Sequence, residues 1–178
     1  MERAMPVTVE QYHALYERGL IVENVELLEG LIVEKMPKSP LHSFLVLELL
    51  RLLLAVVGEG FRVRPEQPLT CRRSEPEPDL AVVRASPDGY LTGHPKTAEI
   101  VIEVAVSSSE IDRRKMAIYA EAGVSEYWIV LPETLQIEVH TKLTQSRYAV
   151  QRIFSDGQTA FSEVLPAFRV ELSALFPR

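Results

Sequence analysis

The sequence predicts an α+β fold in an α/β/α-like arrangement, a mixed β-sheet flanked by helices. Three observations carry it. The elements run helix, hairpin, helix, strands, helix, strands. The strand-like runs are short and separated by Pro, Ser and Gly. The 178 residues, 47% of them hydrophobic and 25% charged, suffice for one substantial core. No repeat, low-complexity segment or long linker divides residues 1–178, which are read as a single domain.

The elements follow in order. VTVEQYHALYERG places Thr8 at a helix N-cap, Gln11 three residues later and Gly19 at the stop. VENVELLEGLIVEKM sets Glu29-Gly30 between two apolar runs, a hairpin signal. Residues 41–57 read as a long helix, apolar nearly all round and so expected to be covered on several sides. FRVRPEQPLT, PDLAVVR and AEIVIEVAV then read as strands. Residues 110–122 are the next helix, closed by Gly123, with Ser109 and Asp112 as a capping pair. EYWIVL, LQIEVHTKL, RYAVQRIF and AFRVEL are strand-like.

Composition narrows the function. A net charge of −6 argues against broad, purely electrostatic binding to nucleic acid, although a cleft is governed by its own local charges. The single cysteine, Cys71, has no intrachain disulfide partner, and no Cys/His cluster suggests zinc. A nucleophilic role for Cys71 is disfavoured, because no histidine is near it in the sequence. MERAMPVTVE lacks a signal-peptide pattern, and the apolar stretch LHSFLVLELLRLLLAVVG is broken by Glu48 and Arg51. No membrane association is expected, and the expected location is the cytoplasm.

Three residues stand out against this background. Asp79 opens the run DLAVV after EPEP. Glu103 lies within AEIVIEVAV, on the strand face that carries Glu99, Val101 and Ala105. An unpartnered carboxylate there would cost several kcal/mol or take up a proton. A divalent cation is one partner for it, and oxygen ligands suit magnesium or manganese. Lys115 shares a helix face with Ile111, Ile118 and Ala122, with Tyr119 one turn on. An ammonium on that face can reach the sheet's carboxylates and stabilise charge on a phosphate. Taken singly, the bland readings are a turn aspartate, an edge glutamate and a lysine reaching past its neighbours to solvent. Their convergence favours metal-dependent phosphodiester chemistry.

At these residues the chain resembles the PD-(D/E)XK nuclease superfamily, and within it the Uma2 family of restriction endonucleases. The matching pieces are VELLEG, PLHS, PDLAVV, VIEVAVSSS, DRRKMAIYAEAGV and SEYWIVLPE. Lys115, Tyr119, Gly123-Val124 and Glu126-Tyr127-Trp128 are the most specific of them. The resemblance implies a restriction-endonuclease-like sheet with Asp79 and Glu103 as metal-binding acids on adjacent strands. It implies the backbone carbonyl of Val104 as a further metal ligand. The usual lysine position two residues after the second acid holds Ala105, and Lys115 is the matching lysine on the next helix. Glu26 and His42 match polar family positions, as an extra metal or lysine partner and an acid/base or substrate contact. Their bland readings are an exposed strand residue and a solvated helix start. Ser107-Ser108-Ser109 and Leu131 depart from the family's usual loop residues without removing a proposed ligand.

The leading expectation is an endonuclease that uses Mg2+ or Mn2+ to hydrolyse DNA. Arg62, Arg64, Arg72, Arg73, Arg113 and Arg114 are candidates for phosphate contacts or for solvated surface charge. A homodimer is expected for cutting both strands, with VLPAFRVELSALF as a candidate interface or as part of the monomer core. A non-catalytic interaction module of the same fold and a glycosidase using the two acids are the competing classes. The second leaves Lys115 unexplained and lacks an aromatic-rich cleft, with aromatics at 7%.

Overall fold

A computed structural model describes residues 5–21, 24–106 and 109–176, and the side chains from position 111 onward in the helix that begins at Ser109. The Ser107-Ser108 pair and the capping side chain expected at Ser109 lie outside that description. The expected mixed sheet flanked by helices is present. Six strands run in the order β3 (Phe61–Pro65), β4 (Leu80–Arg84), β5 (Ile100–Val104), β6 (Glu126–Leu131), β7 (Gln136–Thr144) and β8 (Arg147–Phe154). Only β5 and β6 pair in parallel. Helix α3 (Ser109–Glu121) makes the crossover that a parallel neighbour requires.

Strand alternation sorts the sheet into two cores. Leu80, Val82, Ile100, Ile102, Val104, Trp128 and Val130 face helix α2 (Pro40–Leu54) and the C-terminal elements. Ala81, Val83, Val101, Ala105, Tyr127 and Ile129 face α3, with Ile118, Tyr119 and Val124. Every residue of β5 and β6 is buried, as expected for central strands covered on both faces. A third, smaller core joins α1 (Val9–Glu17) to the hairpin of β1 (Val25–Leu28) and β2 (Leu31–Glu34) through Val9, Tyr12, Val25 and Leu27.

Local signals explain the boundaries. Thr8 and Gln11 form the reciprocal capping box that starts α1. Glu29 and Gly30 turn the hairpin with φ of 49° and 84°, the left-handed pair that a two-residue hairpin demands. Ser39 accepts a hydrogen bond from the His42 N–H at 3.1 Å, and Pro40 fills the first helical position of α2. This cap fixes where His42 projects.

One expectation requires correction, and one left open between two readings is decided. Helix α2 is not covered on several sides: Leu45, Val46, Leu49 and Leu53 are buried, whereas Phe44, Leu47 and Leu54 are exposed. One stripe meets the sheet, and nothing among the described residues packs over the opposite one. The C-terminal segment offers no broad apolar interface, because Phe168, Val170, Leu172, Leu175 and Phe176 are buried in the α2-side core. They lie in or next to β10 (Arg169–Glu171), which pairs with β9 (Thr159–Phe161), and short α4 (Leu172–Leu175). Among the described residues no helix is long and apolar enough to cross a membrane.

Glu126 ties these C-terminal elements to the sheet. Its side chain is buried, accepting from the N–H groups of Glu163 (2.6 Å) and Val164 (3.0 Å) and from Trp128 Nε1 (3.1 Å). The Glu126-Tyr127-Trp128 string thus has a structural purpose. Replacing Glu126 with Gln removes the charge from these bonds and should lower stability by about 2–3 kcal/mol. Urea unfolding checks this, and a loss under about 0.5 kcal/mol would contradict it.

Candidate active site

The register of β4 against β5 pairs Leu80 with Ile102. One step further along, Asp79 and Glu103 stand opposite each other. Two backbone N–H groups lock them: the Asp79 N–H donates to Glu103 Oε2 at 3.2 Å, and the Val104 N–H donates to Asp79 Oδ2 at 2.7 Å. Glu103 lies on the α3 side of β5, as alternation requires. There Tyr119 donates its hydroxyl proton to Glu103 Oε1 at 2.7 Å, and Lys115 Nζ approaches the same oxygen at 3.3 Å. Helical spacing of one turn places both α3 side chains over one strand residue.

The other two candidates join the same site. Lys115 Nζ lies 3.0 Å from Glu26 Oε1, and Glu26 Oε2 accepts from the Glu77 N–H at 3.2 Å. Glu26 is therefore a buried lysine partner rather than an exposed strand residue. His42 Nε2 lies 3.0 Å from Asp79 Oδ1, while its Nδ1 is buried without a hydrogen-bond partner. Glu26, His42, Asp79, Glu103, Val104 and Lys115 all line one cleft of about 120 Å³. The Val104 carbonyl accepts from the Val106 N–H at 3.2 Å and retains a second lone pair.

Electrostatics distinguish this cleft from an ordinary ion-pair network. The carboxyls of Glu26, Asp79, Glu103 and Asp112 act on the buried Lys115 or on one another. Burial pushes Glu103 up to about 8; Lys115 opposes the rise, and Asp79, Asp112 and Glu26 add to it. Burial works against the charge on Lys115, yet Glu103, Glu26 and Asp112 together hold its ammonium above the usual lysine range. Burial and Glu103 likewise raise the Tyr119 hydroxyl well above its ordinary value. Tyr119 is consequently a donor to Glu103 and not a base.

The basic groups of the cleft are not the ones anticipated. None of Arg62, Arg64, Arg72, Arg73, Arg113 and Arg114 lines it. Arg72 pairs with Glu121, Arg113 with buried Glu138, and Arg62 donates to the Glu59 and Phe61 carbonyls. The rim carries Lys35 and Lys38 instead, held at 2.6 Å by Glu77 and Glu66 respectively. Lys35, Lys38, Glu77 and Asp112 line the cleft without having stood out in the sequence as site residues, and Tyr119, noted there only beside Lys115, acts on Glu103. Glu77 had a signal in its alternation with Asp79 through EPEPD, and Tyr119 in its one-turn spacing from Lys115. The two rim lysines had none, since their place depends on where the hairpin packs. Cys71 is buried, with its thiol pushed up to about 12 by burial and then by Glu75 and Glu121, which removes it as a nucleophile.

Comparison with known proteins follows this geometry. The sequence matches the Uma2 family, described as "Putative restriction endonuclease", over residues 9–174. The chain belongs to the Uma2 family. The structure resembles the crystal structure of a protein from Anabaena variabilis described as "a putative nuclease belonging to DUF820". The TM-score is 0.79 at 17% identity, covering 96% of this chain and 98% of that one. At that identity the likeness shows the fold alone. No curated protein matches the sequence.

The raised Glu103 has a consequence for metal-free protein. In the unfolded chain this carboxyl ionises around its ordinary value of 4.5, whereas in the fold it keeps its proton to about 8. Between those values the native state binds more protons than the unfolded state, so stability falls as pH rises. Chelator-treated protein should lose stability across that window, and Glu103→Gln should flatten the loss. Parallel pH profiles for the two proteins would contradict the assignment.

Proposed function

We propose that this chain is a Mg2+- or Mn2+-dependent endonuclease that hydrolyses DNA phosphodiester bonds within one restriction-endonuclease-like domain. The observation that supports it best is the excess of buried acid around Lys115. Despite donors from Tyr119, Lys115 and the Asp79 N–H, burial and the neighbouring carboxyls of Asp79, Asp112 and Glu26 hold Glu103 high, and a hard cation would relieve that crowding. Among the described residues, no three His, Cys, Asp or Glu side chains form a ready-made cation cage. Magnesium commonly needs no such cage, since one or two carboxylates, waters and substrate phosphate suffice. Asp79, Glu103 and the Val104 carbonyl fit that smaller donor set.

When bound, the cation lowers the pKa of a water and neutralises phosphate charge. The protein's own groups do the rest. Lys115, fixed between Glu26 and Glu103, keeps its proton and sets a positive charge beside the phosphate position. Its placement is rigid, so little reorganisation accompanies the reaction. Glu26 is a positioning residue that orients Lys115. His42, beside Asp79 at the first turn of α2, is placed to contact substrate or carry a proton. Lys35 and Lys38 on the rim would meet the flanking backbone phosphates. Acting on DNA, the protein would work in the cytoplasm, and cutting both strands of a duplex calls for a homodimer. The exposed apolar stripe of α2 is better suited to that contact than the buried C-terminal segment.

Asp79→Asn and Glu103→Gln preserve side-chain size while removing charge. Each should abolish Mn2+-dependent cleavage, whereas Ile153→Ala, on the edge strand β8 and 53% exposed, should cleave normally. Wild-type activity in both acid variants would sink the assignment. Light scattering on DNA-bound protein reads the dimer, and a single 20.1 kDa chain per duplex would remove that part.

A further inference from the structure

A second cavity, of about 660 Å³, lies beside the cleft and is used by nothing described so far. Its volume falls within the usual range for small-molecule sites. Helix α1 supplies Tyr12, Tyr16 and Glu17 to it, and the loop 90–96 supplies Tyr90, His94 and Lys96. Thr70, Glu75 and Glu77 also line it. Aromatic rings and fixed carboxylates therefore share one hollow.

Its parts are held in place. Glu75, 5% exposed, is gripped by His13 Nε2 at 2.7 Å and by the Thr70 hydroxyl at 2.6 Å. The Tyr12 hydroxyl donates to the Val25 carbonyl, and that of Tyr90 to the Arg84 carbonyl. Tyr90 sits at φ 63°, a conformation rare for a bulky residue, with its N–H on Asp88 Oδ1. Arg64 lies 5.3 Å over the Tyr90 ring and 3.1 Å from His94 Nδ1. Since a guanidinium only donates, His94 Nδ1 accepts and Nε2 carries the proton. Tyr16 is half exposed and has no such tether, which leaves its ring available to a ligand.

The chemistry selects the ligand. Glu17, Glu75 and Glu77 face only Lys96 and His13 from the cavity lining, with Glu77 also held by Lys35 from the rim, so the wall is richer in hydrogen-bond acceptors than in cations and suits amino groups better than a phosphate. Burial and the Glu77 and Glu75 carboxylates push Tyr12 up to about 12, in keeping with a negative interior. Flat ligands with amino donors stack on tyrosines and bond to carboxylates, as adenine, cytosine and guanine can. Glu77 lines both hollows, so the two are neighbours. Glu75-Pro-Glu-Pro-Asp79 spans four residue steps, which at roughly 3.1 Å per residue bounds the distance from Glu75 to Asp79 at about 12 Å. A strand with its phosphate at Asp79 can reach that far with a neighbouring nucleotide.

We propose that this cavity is a nucleobase pocket that takes an unpaired, amino-bearing base a short distance from the cleaved phosphate. The choice of a DNA strand as occupant rests on the nuclease reading. Bases stacked in an intact duplex cannot enter, so the preferred substrate carries an unpaired nucleotide beside the cut, as in a flap, gap or bulge.

The test uses metal-free full-length protein and duplexes with a short single-stranded flap. Each flap position in turn carries 2-aminopurine, cytosine, thymine or an abasic sugar. At one position the abasic sugar should weaken binding about tenfold, in line with the loss of one stacked base. Cytosine should bind better than thymine there, and 2-aminopurine fluorescence should be quenched. Tyr16→Ala should erase these differences and Tyr16→Phe should keep them. Equal affinity for abasic and base-bearing flaps at every position, or an unaffected Tyr16→Ala, would overturn the proposal. Base-dependent binding without Mn2+ cleavage would retain the pocket and remove the nuclease reading. Cleavage with no base dependence would do the reverse.

Discussion

The buried ammonium of Lys115 is the interaction on which the site depends. It lies 3.0 Å from Glu26 and 3.3 Å from Glu103, and so links the N-terminal hairpin, the central strand β5 and helix α3. Removing one partner of such a cluster leaves an uncompensated charge, generally at a cost of about 3–5 kcal/mol. The lysine alone does not balance its surroundings, however. Asp79 and Asp112 add to the acid, and Glu103 responds by holding its proton to about 8. An arrangement that served stability alone would replace these charges with apolar groups. One that awaits a cation has reason to keep them.

The fold supplies the precision. The Asp79 and Val104 N–H groups cross-link the two acids to each other's strands, so their separation is set by sheet register and not by side-chain freedom. The Ser39 cap fixes the first turn of α2 and with it His42. Tyr119 holds Glu103 from the remaining side. Sites built on strands and helix starts in this way need little rearrangement to engage a substrate. The hairpin is the exception in origin, since it reaches the site through a bridge of Leu27 to Glu75 in the loop that leads into β4.

Much of this was legible in the sequence because it rested on local periodicity. Strand alternation set Glu103 on one face with Val101 and Ala105, helical spacing placed Lys115 and Tyr119 together, and Thr8 with Gln11 marked the start of α1. The long-range partners were less accessible. Nothing local tells that Glu26 meets Lys115, or that Lys35 and Lys38 edge the cleft, because the hairpin's position is tertiary. The arginines near Asp79 and Lys115 in sequence line no part of the cleft for the converse reason: Arg72 and Arg113 turn to other acids, Arg62 and Arg73 to backbone carbonyls, and Arg64 to His94 and Tyr90. Helix α2 misled through composition, since a leucine-rich run reads as covered all round whether or not a partner is present. The EPEP segment was visible throughout, yet its place between two cavities emerges only when both are seen.

The central claim is that the acid excess around Lys115 is matched to a divalent cation. Titrating Mn2+ into the protein near pH 7 by calorimetry, in two buffers of different ionisation enthalpy, tests it most directly. Binding should release close to one proton, because the cation displaces the proton retained by Glu103, and Glu103→Gln should release none. Binding without proton release, or no binding at all by the wild-type protein, would contradict the account.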